Sequence, residues 1–401
     1  MDPTTITTAK RSLLASLVIV GMGFSVLFPI LGPLGRELGF NEIQITSIIA
    51  ISSLTVVLSA PMWGRLSDRW GRKKVMVIGL FGFTGGTVLF NTVLHIGLSE
   101  ILTGMSLYVL LVIVRIAHAA VMAATLPASN AYMADITSLN ERTKGMGALG
   151  AANNVGAIMG PAVAGLAVVS LLTPLWIVAV LACLNGLFVI RFLPDVPPTS
   201  PSAATPKLSY LDSRIWPFIL VGVVMFSGYA LVQQTMGFRY QDALGLSAQE
   251  TAQTFGLAMM LSAVASLFAQ AIVVQRWSAP PRVLLITSIP LLFLAFVLLY
   301  FFETEIMLTV SMVVLGLGMG LSGPGLMAGA SLAVTAEEQG AVAGIAGSCG
   351  PLGFFLGTLI GGALYQTDPT LPYITAAVVY LILFLYMLRV FQGLGDTATD
   401  V

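Results

Sequence analysis

Two ionisable side chains three positions apart, Arg115 and His118, lie inside an apolar run from about 101 to 127, with Met122 one turn further on. A spacing of three puts both on one face of a helix. A guanidinium stays charged under all ordinary conditions, whereas an imidazole, with an unperturbed pKa of about 6.5, changes charge near neutrality. Such a pair could hold an anion and handle a proton, and an ionisable group at this depth in an apolar run marks a functional site by default. All 18 Asp and Glu residues fall in loops, tails or helix ends. Arg115 therefore has no acid within the apolar runs, and the expected partner is an anionic or zwitterionic molecule such as a carboxylate-type siderophore. His118 is the expected titratable group, with Asp135 a weaker candidate.

Other polar side chains in apolar runs include Asn153, Asn154, Gln233, Gln234 and Gln270. Buried polar atoms need partners, and adjacent residues cannot face one direction on a helix. At most one Asn and one Gln is expected to point squarely into a cavity, whose adaptable apolar wall Tyr229, Phe28 and Met122 would complete.

A second constellation is a charge island, Gly64-Arg65-Leu66-Ser67-Asp68-Arg69-Trp70-Gly71-Arg72-Lys73-Lys74, in a chain only 9% charged. Topology needs these charges in any order, whereas Gly64 and Gly71 bracket Asp68 as if the backbone must turn tightly and approach another helix.

The elements that position these residues follow from composition. With 57% hydrophobic residues and a mean hydropathy of +0.94, 401 residues must be solvated by lipid. The net charge is zero, which offers nucleic acid no attraction. Cys183 and Cys349 lie in apolar runs, so neither a disulfide nor a metal site is expected.

Runs long enough to span, roughly 17 to 25 residues, occur near 12–33, 44–64, 75–97, 101–127, 145–170 and 174–193, then near 215–237, 250–274, 282–302, 306–332, 341–365 and 371–391. The first, preceded by Lys10 and Arg11, matches a retained span rather than a signal peptide. Basic residues stay on the cytoplasmic side. Only Arg36 and Arg239 fall on the opposite faces, which predicts cytoplasmic termini.

A repeat at an offset of 197 pairs Pro127 with Pro324, Glu141 with Glu338, and Gly156, Gly160 and Gly165 with Gly353, Gly357 and Gly362. Parallel repeats of this kind build two related bundles. The predicted fold is an all-α membrane protein of twelve transmembrane helices in two pseudo-symmetric six-helix bundles, 1–193 and 215–401, with a cytoplasmic linker at 194–214.

The charge island fits the G-x-L-x-D-R-x-G-R-K pattern between helices 2 and 3 of the major facilitator superfamily of secondary transporters, through Gly64, Leu66, Asp68, Arg69, Gly71, Arg72 and Lys73. The resemblance implies a cytoplasmic gate in which the aspartate engages the opposite bundle, with Glu141 and Arg142 in the same network. Gly156, Gly160, Pro161 and Gly165 are similar to the helix 5 packing motif G-x-x-x-G-P-x-x-G-G of the drug:proton antiporters in that superfamily, with Ala164 at the penultimate glycine. Leu111 and Arg115 match l-x-x-x-R-x-x-Q-G of the same exporters, where the arginine is associated with proton coupling; His118 and Ala119 replace its Gln and Gly.

The resemblance implies a proton-coupled exporter of a small molecule in the inner membrane, working by alternating access and expected to be monomeric. A broad multidrug pump, an importer or facilitator, and a non-transporting receptor are the rivals. No phosphate-binding loop, metal-spaced His/Cys set or nucleophile with a histidine base is present. Neither an enzyme nor a cofactor is expected.

Overall fold

The computed structural model describes residues 3–137, 139–195, 208–274, 279–335 and 338–395. Twelve helices among them are long and apolar enough to cross a membrane, from Ile6–Glu37 to Leu371–Arg389. Large apolar side chains such as Leu58, Ile113, Val180 and Ile382 are exposed, as lipid contact requires.

Most spans outrun the apolar segments that announce them. The second, expected at 44–64, is a helix over Glu42–Trp70, and the third follows at Arg72–Leu98. Hydropathy marks the hydrocarbon-facing part, but a helix stops only where its last carbonyls find other partners. Gly71 alone separates the two, at φ 95° and ψ 144°, a conformation that suits glycine. The charge island is thus not a loop but the last turns of one span and the first of the next.

Two spans are broken, each three residues before a proline. The first consists of Pro3–Ser25 and Leu27–Glu37, because Pro29 has no N–H for the Ser25 carbonyl. The fourth consists of Gly104–Met122 and Thr125–Ile136, because Pro127 has none for Ala123.

The chain forms two compact units, Met1–Ser202 with Leu246–Leu257, and Ala203–Gly245 with Ala258–Val401. Of the expected linker, residues 196–207 lie outside the described residues. In the first unit, a Cβ on Gly160 would run into the Ser25 side chain and come within 2.6 Å of the Met22 carbonyl oxygen; the fifth span, Leu139–Ala164, rests there on the first. In the second unit Gly357 lies equally close to the Ser227 backbone, so the repeat seen in sequence is a repeat of helix contacts. Small residues permit such approach where lipid supplies no hydrophobic drive.

Gly165 departs from this expectation. The α-helix ends at Ala164 and a 3-10 turn runs over Gly165–Val168; no atom lies within 4 Å of where a Gly165 Cβ would be. It marks a change of helix type rather than a helix contact. Pro161 is buried within the helix.

Candidate functional site

Arg115 belongs to the first half of the broken fourth span and is 6% exposed; His118 is 5% exposed. Room for the imidazole comes from Gly86 on the third span, where a Cβ would overlap its ring. Phe83 packs beside it, ring centroids 5.3 Å apart, and the Arg115 guanidinium lies 5.1 Å from the centre of the Phe90 ring, in cation–π range.

The hydrogen bonds fix proton positions. The Ser52 hydroxyl donates to the Ile48 carbonyl at 2.6 Å and so has only a lone pair for Arg115 Nε, 3.1 Å away. Nη1 of Arg115 lies 3.2 Å from Nδ1 of His118. A guanidinium can only donate. Nδ1 must accept, and the imidazole is neutral with its proton on Nε2, an atom buried with no hydrogen-bond partner. No carboxylate pairs with Arg115 among the described residues. Asn153 and Asn154, its other conceivable partners, lie elsewhere: Asn153 backs onto Gly21 of the first span, and Asn154 is exposed.

Arg115, His118, Met122 and Phe28 line one small cavity inside the first unit. The sixth span, Thr173–Phe192, contributes Leu175 and Val178. Asn153, Asn154, Gln233, Gln234 and Tyr229 are not among its lining residues.

Gln233 and Gln234 sit in the second unit, on the seventh span Trp216–Leu244, and both are buried. Gln233 Oε1 and Gln234 Nε2 are buried with no hydrogen-bond partner among the described residues. Tyr229 packs edge-on against Phe354. Met312, the repeat counterpart of Arg115, is buried, so the second unit carries no matching charge.

The charge island resolves into one buried ion-pair centre with an exposed rim. Arg72 is 7% exposed and donates to Asp68, to Ser67 at 3.2 Å and to Asp135 at 3.0 Å. Asp135 on the fourth span is thus a partner of Arg72 rather than an open proton site. Lys73 lies 4.0 Å from Asp195, and Arg69 is exposed. Gly64 has no atom within 4 Å of a would-be Cβ; it makes no close helix approach, and the sharp turn belongs to Gly71 alone. The side chains of Glu141 and Arg142 lie outside the described residues.

Arg36 and Arg239, the cations expected on the outer faces, are both paired, Arg36 with Glu42 at 2.7 Å and Arg239 with Glu303 at 3.1 Å. Sequence reasoning missed Ser52, Phe90 and Gly86, which hold the Arg115 and His118 pair. Ser52 stands 63 positions before its partner, and only Gly86, small in an apolar helix, offered any signal. It also missed an exposed cluster in the second unit, where Arg214 donates to Asp212 and Glu338.

Twelve apolar spans, glycine-mediated helix contacts and a buried cation define a polytopic membrane protein of the secondary-transporter class. The profile of the Major Facilitator Superfamily matches residues 13–350 and 273–397, and the chain belongs to that family: it is a transporter of small molecules and not an enzyme. It is 25% identical over 390 residues to multidrug resistance protein 2 of Bacillus subtilis, covering 92% of each chain. It is 27% identical over 393 residues to the class C tetracycline resistance protein of Escherichia coli, covering 92% of this chain and 94% of that one. The crystal structure of the nucleoside transporter NupG matches with a TM-score of 0.73 at 17% identity, over 98% of this chain and 100% of that one.

Proposed function

We propose that this protein is a secondary active exporter of an organic anion or zwitterion, driven by protons and working by alternating access in the inner membrane with both termini cytoplasmic. The observation that carries the cargo class is Arg115, a permanent cation buried among apolar side chains with no carboxylate beside it among the described residues. A bound anion would supply the missing charge, whereas a permanent cation would be repelled. The outward direction is supported by the resistance proteins that the chain resembles and by the Gly156, Gly160 and Pro161 motif.

His118 is the proposed proton carrier of the cavity. Its Nδ1 lone pair is engaged by Arg115, so taking a proton there requires that bond to break. Proton uptake would then release Nη1 of Arg115 from His118, which couples the protonation of one side chain to the hydrogen bonds the other can offer a substrate. Asp68, largely exposed on its own helix, is the proposed gate residue.

A second reading, efflux of varied apolar drugs, is favoured by the phenylalanines and Met122 around the cavity and by the names of the relatives. The test is untargeted comparison of metabolites inside and outside cells with and without the protein, then uptake of enriched compounds into inverted vesicles under an imposed pH gradient. Anion uptake that collapses with a protonophore is expected. Transport of lipophilic cations with no anion transport would overturn the anionic reading.

A further inference from the structure

The polar side chains that line the cavity are Thr87, Arg115 and His118. Thr87 donates its hydroxyl to the Phe83 carbonyl at 2.8 Å, which leaves it no proton to offer. Arg115 Nε and Nη1 are engaged by Ser52 and His118. Two donors remain, Arg115 Nη2, which has no hydrogen-bond partner among the described residues, and the His118 Nε2–H. They belong to side chains already bonded to each other, and one carries a single formal charge while the other is neutral.

The rest of the wall is apolar: Phe24, Phe28, Phe83 and Phe90 line it, with Leu27 and Ile49. A ligand complementary to these groups carries acceptors and brings one negative charge; with room for about 20 Å³ as it stands, the cavity must widen before a flat apolar body lies among the phenylalanines. Each further carboxylate would be desolvated against phenylalanine with no cation to meet it.

We propose that Arg115 and His118 together form a receptor for one carboxylate, and that the ligand class is an aromatic monocarboxylate whose ring lies among the phenylalanines. This rests on the exporter reading for its physiological meaning and narrows its cargo away from polycarboxylates. Nη2 of Arg115 supplies charge and one hydrogen bond, and His118 Nε2–H supplies the second, neutral bond. Forcing His118 to accept at Nδ1, Arg115 also makes it a donor at Nε2.

The test is calorimetric binding to the purified full-length protein of 2-naphthoate, its uncharged amide 2-naphthamide, the trianion benzene-1,3,5-tricarboxylate and the cation tetraphenylphosphonium. Saturable binding of 2-naphthoate is expected, with 2-naphthamide at least about tenfold weaker, since bonds to a charged group are the strong ones. The trianion and the cation should not displace it. His118→Leu should weaken binding about tenfold, and His118→Gln, which restores an N–H donor, should recover most of it.

The wild-type comparison of ligands needs no variant, so a His118 variant that fails to fold leaves the test intact. No binding of 2-naphthoate, equal binding of the amide, competition by either other ion, or a folded His118→Leu protein that binds like wild type would each overturn the proposal. Proton-driven export of some other cargo from cells, with no 2-naphthoate binding, sinks this inference and leaves the exporter reading standing. Binding as expected, with no outward transport of any anion, does the reverse.

Discussion

Nη1 of Arg115 lies 3.2 Å from Nδ1 of His118, one helical turn along the same span. Because the guanidinium has no lone pair, this contact sets the tautomer of the imidazole. A cation and a neutral donor thus stand side by side at a depth where either alone is costly.

The pair depends on the planar fork of arginine. Lysine at 115 would keep the charge but could not reach Ser52 and His118 in the same geometry. Arg115→Lys is expected to reach the membrane at normal levels and to transport the cargo at least about tenfold more slowly. Initial rates in inverted vesicles, normalised to protein, check this.

Helix contact at Gly160 leaves no space for a side chain. Gly160→Val must displace the first span and is expected to cost about 1–3 kcal/mol, lowering the thermal unfolding midpoint in detergent. Gly165→Ala, where nothing lies within 4 Å, should leave the midpoint unchanged. Equal effects at the two positions would contradict the packing described.

Removing Arg72 takes one hydrogen-bonded cation away from the nearly buried carboxylate of Asp135. Arg72→Gln is expected to destabilise by about 3 kcal/mol, and the double variant Arg72→Gln with Asp135→Asn to recover part of that loss. Arg69→Gln, at an exposed position, should stay within about 0.5 kcal/mol of wild type. Denaturation of these proteins beside wild type and the single variant Asp135→Asn measures the coupling.

Arg214 donates to Asp212 at 2.8 and 3.1 Å and to Glu338 at 2.9 Å. Hydrogen bonds from its guanidinium hold the Asp212 carboxyl down at about 2 and hold Glu338 below the usual carboxylate range. A folded pKa below the unfolded value of about 3.9 stabilises the fold above that value, and the contribution is lost as pH falls through about 2. The unfolding midpoints of wild type and Asp212→Asn should differ by a constant amount between pH 5.5 and 8 and converge towards pH 2. A difference that persists at pH 2 would refute the assignment.

The number of spans was legible because a membrane demands long apolar helices and because the repeat echoes through Gly156, Gly160, Gly353 and Gly357. Where spans end was less legible, since Leu66 to Trp70 are helical by hydrogen bonding and not by hydropathy. Arg115 and His118 announced themselves as ionisable residues in an apolar run. Their surroundings did not, because Ser52, Phe90 and Gly86 look like ordinary packing residues until helices two, three and four are laid together. Asp135 was noticed as an acid near a span end, but its partnership with Arg72 is a tertiary fact.

Gly71 has a mechanical meaning as well. Helices of 29 and 27 residues joined through one residue have no slack. Neighbouring Cα atoms are about 3.8 Å apart, less than the roughly 5.4 Å of one helical turn, so neither helix can slip a turn along its axis without dragging the other. Arg72, at the head of the third span, is tied in turn to Asp135 on the fourth. Three of the five spans that wall the cavity are therefore coupled along their axes, whereas the first and sixth have no such tie among the described residues.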